Sequence, residues 1–208
     1  MTRYIDITRP VDDELVCWPG RPPPEHSWEK RIARGDHCNA SYWRMSAHTG
    51  THMDAPLHFI EGGSPIDQIS PEVFTGTCKV IDLRSADIGV LDDALASRYR
   101  GERRLLIRTH HSDSDHGGIY QSHRQLLTPA AAALLLEGGL NLIGTDRLSV
   151  DDSEGESYAL HRLLLGAGCV ILEGLLLADV PPGRYSLLAV PLRLVGADAS
   201  PVRALLRA

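Results

Sequence analysis

Apolar residues along the chain fall into short runs that end at glycine, proline or acidic positions. Such bounded runs are typical of short strands and helices packed in one domain. Seven of them predict strands: Tyr4–Ile7, Tyr42–Ala47, Cys78–Leu83, Arg104–Arg108, Leu140–Gly144, Val170–Leu177 and Ser186–Leu194. Three predict helices: Asp92–Arg100, Thr128–Glu137 and Ser157–Leu165. Because helices and strands alternate in the second half, we predict a mixed α/β domain.

Two of the predicted helices carry clear end signals. Thr128 followed by Pro129 is typical of a helix N-terminus, since threonine caps it and proline suits the first turn. Gly138 then marks the end of that helix, and Gly166 marks the end of the next one. These signals agree with the predicted helices Thr128–Glu137 and Ser157–Leu165.

The length and net charge of the chain exclude several classes of protein. The chain has 208 residues, 43% of them hydrophobic, with a net charge of −6. These values predict a single domain over residues 1–208 and disfavour a disordered chain or a nucleic-acid partner. We expect a cytoplasmic protein without membrane contact, because we find neither an N-terminal apolar segment nor an apolar run of about 18 residues. The four cysteines form no CxxC pair, so we interpret them as thiols.

The segment from Ser46 to Phe59 carries most of the candidate chemistry. Its ligand-type side chains all fall at even positions, namely His48, His52, Asp54 and His58. A helix would spread them around its axis and would exclude Pro56 from its interior, whereas a strand places them on one face. The odd positions are mostly apolar and can pack on a core.

A straight strand cannot close this set around one ion, since residues four apart lie about 13 Å from each other when extended. Gly50 offers a bend between His48 and His52, and Pro56 offers another farther on. We therefore expect the strand end to curl and bring His48, His52 and Asp54 together. These donors suit Zn²⁺, Mn²⁺ or Fe²⁺ and leave coordination positions open. The alternative is a row of polar residues on an exposed edge strand.

Other candidates have weaker local signals. Glu173 lies in an apolar strand, where a carboxylate is costly unless a cation meets it. His161 lies on a leucine-rich helix, where a core histidine is the ordinary interpretation. Trp18 is either a loop anchor or a substrate platform, and Asp146 either a turn carboxylate or a site residue. Residues 110–116, rich in His and Asp, predict a polar loop after a strand rather than a metal site, with contact to substrate as the second choice. We find neither a glycine-rich phosphate loop nor a G-x-S-x-G motif.

His48-Thr-Gly-Thr-His-Met-Asp-Ala-Pro-Leu-His-Phe59 resembles the signature H-x-G-T-H-x-D-A-P-x-H-F of the cyclase-like metal-dependent hydrolases. That family includes bacterial kynurenine formamidases and isatin hydrolases. The resemblance extends along most of the chain, with further landmarks at Trp18-Pro-Gly20, Gly144-Thr-Asp146, Ile171-Leu-Glu-Gly-Leu175 and Asp198-Ala-Ser-Pro-Val-Arg203. It implies a mixed α/β fold with a barrel-like sheet flanked by helices, and assembly as a homodimer.

The resemblance also implies roles for individual residues. His48, His52 and Asp54 correspond to the primary metal ligands, and His58 to the acid/base histidine. His161 and Glu173 correspond to further metal-site residues, so one or two ions per chain are expected, with Zn²⁺ ahead of Mn²⁺.

The activity implied is hydrolysis of an amide by metal-activated water. An aryl formamide such as N-formylkynurenine is the leading substrate, and Trp18 is expected to stack on its ring. A cyclic amide or lactone is the alternative substrate class. A metal-dependent binding protein without catalysis is the alternative from another class. The resemblance gives no role to the histidines of residues 110–116.

Overall fold

A computed structural model describes residues 3–84, 90–112, 125–152 and 157–208. In these ranges, nine strands form one curled sheet and two others form a separate antiparallel pair. The strands are β1 (Tyr4–Asp6), β2 (Glu25–Lys30), β3 (Ala40–Arg44), β4 (His52–Asp54), β5 (Thr75–Asp82), β6 (Arg104–Arg108), β7 (Leu142–Thr145), β8 (Val170–Glu173), β9 (Gly183–Leu188), β10 (Ala199–Pro201) and β11 (Leu205–Arg207). The α-helices are α1 (Pro71–Phe74), α2 (Asp93–Ala96), α3 (Pro129–Glu137) and α4 (Ala159–Gly166).

The large sheet has the order β1-β11-β9-β5-β6-β7-β8-β4-β10. Its centre, β5 to β8, is parallel, and the strands on both flanks are antiparallel to their neighbours. Every residue of β6, β7 and β8 is buried and most are Leu, Ile or Val, because both faces of these central strands are covered. The result is the mixed α/β domain that the sequence predicts, with the sheet curled into a half-barrel and few helices around it.

Alternate residues of the central strands enter two different cores. Leu106, Leu142 and Leu172 belong to one core, together with Met53 of β4. Their neighbours in sequence, such as Ile171, belong to the other, which α2, α3 and α4 complete. Successive side chains of a strand point to opposite faces of the sheet. In β4, His52 and Asp54 therefore lie on one face and Met53 lies on the other.

Several predicted elements are confirmed. β6 occupies the predicted range, and α3 begins after Thr128, whose side chain accepts a hydrogen bond from the amide of Ala131. β8 begins at Val170 as predicted, but its predicted extension to Leu177 is wrong. Gly174 ends the strand because its φ of 69° turns the chain away from the sheet.

Other predictions are displaced or incomplete. The predicted strand Tyr42–Ala47 runs over Ala40–Arg44, and Ser186–Leu194 runs over Gly183–Leu188. The predicted helix Asp92–Arg100 is α-helical only over Asp93–Ala96. The prediction missed β2, β10 and β11. A three-residue strand such as β10 or β11 is too short to produce a hydrophobic period and depends on its partner strand instead.

Candidate metal centre

The register between β4 and β8 brings the first three candidate residues together. His52 pairs with Glu173, and Asp54 pairs with Ile171. All three candidate side chains therefore leave the sheet on the same face, away from Met53. Nε2 of His52 lies 3.6 Å from a Glu173 oxygen and 3.4 Å from an Asp54 oxygen.

A bend at Gly50 returns His48 to this group, as the sequence predicts. Gly50 has a φ of 61°, so residues 48–51 form a turn before β4 begins. Nδ1 of His48 consequently lies 2.9 Å from Oδ1 of Asp54. Gly174 packs against this bend so closely that a Cβ atom on it would stand 2.5 Å from the carbonyl oxygen of Gly50. Glycine at both positions lets the two backbones meet.

Helix α4 supplies His161, which is buried. Nε2 of His161 lies 3.6 Å from Asp54 and 3.6 Å from Glu173. Its other ring nitrogen, Nδ1, contacts Oδ2 of Asp151 at 2.6 Å. Asp151 also accepts hydrogen bonds from the amides of Leu160 and His161, so it ties the first turn of α4 to the ring. This contact keeps a proton on Nδ1 and turns Nε2 toward the two carboxylates, where it would be the nitrogen that binds an ion.

His52 is oriented in the same manner by the backbone. Its Nδ1 lies 3.0 Å from the carbonyl oxygen of Gly50, which can only accept a hydrogen bond. Nδ1 therefore carries the proton, and Nε2 faces Asp54 and Glu173 as a lone-pair donor.

A 3₁₀ turn, Pro56–His58, places the last histidine of the motif beside the others. Nδ1 of His58 lies 3.2 Å from Oδ2 of Asp198, and Nε2 of His48 lies 2.9 Å from the same oxygen. Asp198 immediately precedes β10, which pairs with β4. One carboxylate therefore holds two of the motif's imidazoles.

Asp54 lies at the centre of the cluster and fits a metal ligand. It is fully buried, and its oxygens face the ring nitrogens of His48, His52 and His161 at 2.9 to 3.6 Å without a well-aligned hydrogen bond from any described residue. Such a carboxylate is costly without a cation. Two sets of ligand atoms, each within 4.8 Å of one another, share it: His48 with His58, and His52 with Glu173. The donors, imidazole and carboxylate, are those of Zn²⁺ and Mn²⁺ sites.

The cluster holds protons that a metal would displace. Burial lowers the pKa of His161, but the hydrogen bond to Asp151 and the charges of Asp54 and Glu173 outweigh it and raise the pKa to about 10. Burial and the Asp54 carboxylate raise the pKa of Glu173. Burial opposes ionisation of Asp54 too, yet the surrounding imidazoles hold its pKa well below the usual range. Metal binding must therefore release protons.

Residues 5–152 match the Cyclase family. Kynurenine formamidase from Salinibacter ruber is 38% identical over 211 residues, which cover 98% of this chain and 96% of that protein. Kynurenine formamidase from Sphingopyxis alaskensis is 38% identical over 221 residues, covering 100% and 99%. The solved structure of isatin hydrolase A from Labrenzia aggregata has a TM-score of 0.83 at 26% identity, covering 99% of this chain and 93% of that one.

The chain belongs to the cyclase family. Its similarity to formamidases over the full length makes it an arylformamidase-like, metal-dependent amide hydrolase. The family resemblance read from the histidine motif is thereby confirmed, and so is the expected fold.

A cavity of about 140 Å³ opens onto the cluster of this cyclase-family hydrolase. Trp18 is in its wall, as are the rings of Phe59 and Tyr158, which lie 5.2 Å apart. His58 and Glu173 also line it. The cavity therefore joins an aromatic wall to the metal-type donors, which suits a flat aromatic molecule.

Two residues of the site escaped the sequence analysis as functional candidates. Asp151 lies in an acidic segment without a distinct motif, and only its contact with His161 gives it a role. Asp198 begins the landmark Asp198–Arg203, which was a usable signal, but nothing local links it to His58.

The remaining candidates lie outside the cluster. Asp146 is buried and accepts hydrogen bonds from the amide and the hydroxyl of Thr109, at 2.8 and 2.6 Å, so it joins the ends of β6 and β7. His111 contacts the same hydroxyl at 3.3 Å. Residues 113–116 of the predicted polar loop lie outside the described residues. Among the helices that the structure describes, none has the length and hydrophobicity needed to cross a membrane.

Proposed function

We propose that the chain hydrolyses the formamide bond of an aryl formamide, with N-formylkynurenine as the leading substrate. The observation that carries this proposal is the buried Asp54, whose oxygens face imidazole nitrogens without a well-aligned hydrogen bond among the described residues and which two ligand sets share beside an aromatic cavity. The kynurenine formamidases that match over nearly their whole length support the substrate class. The proposed metal-site residues are His48, His52, Asp54, His161 and Glu173.

The bound ion is proposed to be Zn²⁺, with Mn²⁺ as the second choice, at one or two ions per chain. Such an ion lowers the pKa of bound water and polarises a carbonyl oxygen, which supplies a nucleophile near neutral pH. Imidazole ligands are typical of zinc sites, and the Asp54 carboxylate, which both ligand sets share, suits a pair of ions.

His58 is proposed as the acid/base residue. Burial lowers its pKa, the charges of neighbouring histidines lower it further, and the resulting value is about 4. The ring is therefore neutral at pH 7 and can accept a proton. Because Nδ1 contacts Asp198, the proton of the neutral ring lies there and Nε2 holds the free lone pair. His58 would take a proton from water at Nε2 and return it to the leaving nitrogen.

Trp18, Phe59 and Tyr158 are proposed to hold the aromatic ring of the substrate. Phe59 also contacts the ring of His161 with centroids 4.6 Å apart, which couples the aromatic wall to the ligand set. Aromatic faces prefer offset or edge contacts, and each such pair contributes about 0.5–1.5 kcal/mol beyond burial.

A cyclic amide or lactone is the alternative substrate class. The fold similarity to isatin hydrolase A favours it, because isatin is a cyclic amide. Parallel assays with isatin and with formanilide separate the two classes. A binding protein without catalysis is the alternative from another class, and it predicts metal uptake with no turnover of either compound.

Removal and return of the metal test the proposed function. We expect chelated protein to lose formanilide hydrolysis and to recover it with Zn²⁺ or Mn²⁺. Mg²⁺ serves as the control, since it prefers oxygen donors. Full activity in protein shown by elemental analysis to be metal-free would contradict the proposal.

A homodimer in the cytoplasm is proposed as the working state. Trp43 and Tyr42 on the β2–β3 pair are exposed, as are Leu192 and Val195, and a second copy would cover such apolar surface. The four cysteines are free thiols, which suits a reducing compartment. Light scattering should give twice the mass of 22.8 kDa, and a value for one chain would contradict the dimer.

A further inference from the structure

A tight turn carries Trp18 and Arg21 to the wall of the metal-site cavity. The amide of Arg21 donates a hydrogen bond to the carbonyl of Trp18 at 3.0 Å. Pro19 and Gly20 occupy the two central positions, and Gly20 has a φ of 81°. Proline followed by glycine with positive φ is the pattern of a type II turn. Trp18 and Arg21 are thus the two ends of one rigid turn, and both line the cavity.

The guanidinium of Arg21 is anchored next to the metal-type ligands. Its Nη1 donates to Oγ of Ser46 at 3.0 Å, and the same oxygen accepts the backbone amide of His48 at 3.2 Å. The hydroxyl group of Ser46 therefore links the Arg21 side chain to the segment that carries His48.

The charge of Arg21 is available to a ligand. In the ranges that the structure describes, no carboxylate oxygen lies within 4.0 Å of its guanidinium, although the chain is acidic overall. Among the described residues that line the cavity, Arg21 is the sole arginine or lysine. Pro22, Pro23 and Pro24 follow it, and their fixed φ angles restrict the motion of this segment. The guanidinium keeps further N–H donors in a planar fork that matches a carboxylate.

We propose that Arg21 binds a carboxylate of the substrate and thereby selects aryl formamides that carry a carboxylate over neutral ones. This inference rests on the proposed function, because it places the aromatic ring against Trp18 and the formamide at the metal-type donors. Trp18 and Arg21 then recognise the ring and the acid from two ends of one turn. N-formylkynurenine, which has both groups, belongs to the selected class.

Turnover of matched substrates tests this assignment. The substrates are N-formylkynurenine, its methyl ester and formanilide, and the variants are Arg21→Gln and Arg21→Lys, with Arg34→Gln as the control. Arg34 is exposed on a 3₁₀ turn at Ile32–Arg34. We expect Arg21→Gln to lower kcat/KM for the acid by about 10- to 100-fold, mainly through KM, because a charge-assisted contact is lost. Arg21→Lys should have a kcat/KM for the acid between those of wild type and Arg21→Gln, since lysine keeps the positive charge but lacks the planar pair of donors.

The neutral substrates decide what the loss means. We expect kcat/KM for the ester and for formanilide to change less than about 2-fold in Arg21→Gln, and wild type to use the ester about as poorly as the variant uses the acid. An equal loss on all three substrates, or an unchanged KM for the acid, would overturn the assignment.

A binding measurement separates this inference from the proposed function. Calorimetry with kynurenine and its methyl ester needs no turnover, so it remains decisive if no formamide is hydrolysed. We expect wild type to bind the acid about tenfold more tightly than the ester and Arg21→Gln to bind both equally. Equal binding of acid and ester by wild type would refute a carboxylate site at Arg21, whatever the enzyme's activity.

Discussion

Replacing Asp151 by Asn should weaken metal binding without removing any ligand. Asp151 accepts three hydrogen bonds, from the amides of Leu160 and His161 and from Nδ1 of His161 at 2.6 Å. Asn keeps one acceptor oxygen, but its NH₂ group would face donors and the negative charge beside the imidazole would be lost.

The magnitude follows from the contact that is lost. A hydrogen bond to a charged group contributes about 1.5–3 kcal/mol. Loss of a carboxylate behind a metal-bound histidine typically lowers metal affinity by about 10- to 100-fold, which is the same range of free energy. We therefore expect the Zn²⁺ affinity of Asp151→Asn to fall by that factor while metal stoichiometry at saturation is retained.

Competition with a chromogenic chelator measures this affinity, and elemental analysis gives the stoichiometry. Asp92→Asn is the matched control, because Asp92 caps α2 through the amide of Leu95 and contacts no histidine among the described residues. Wild-type Zn²⁺ affinity in a correctly folded Asp151→Asn protein would refute the assignment of His161 as an oriented ligand.

Three further predictions concern the same cluster. His58→Ala should keep the metal and lower kcat by about 10²- to 10⁴-fold, whereas loss of metal in elemental analysis would make His58 a ligand. Glu173→Gln should lower stoichiometry from two ions toward one if it holds a second ion, and a stoichiometry of two in the variant would exclude that role. The metal-free protein should lose stability as pH rises from about 6.5 to 10, because the folded pKa of His161 is raised to about 10 from 6.5 and its proton stabilises the fold below that window. The gap in Tm between metal-loaded and metal-free protein should therefore widen from pH 6 to pH 9, and a constant gap would contradict this linkage.

The arrangement of the histidine motif could be predicted from the sequence because it depends on local geometry. The period of two puts His52 and Asp54 on one side of a strand whatever that strand pairs with, and Gly50 permits the bend that a shared ion needs. Helix α3 was predictable for a similar reason, since its cap at Thr128 involves residues only three apart. Such features depend on neighbours in sequence, so the chain determines them by itself.

The partners of these residues are decided only by tertiary structure. Glu173 faces His52 because β4 and β8 are in register, although 121 positions separate the two residues along the chain. Asp198 reaches His58 from 140 residues away, and a single aspartate carries no periodic signal that could announce this contact. Arg21 likewise acquires a role only where Ser46 anchors it at the cavity. Burial and strand pairing select these contacts among many that the sequence allows, because the sheet must close around one core before any of them can form.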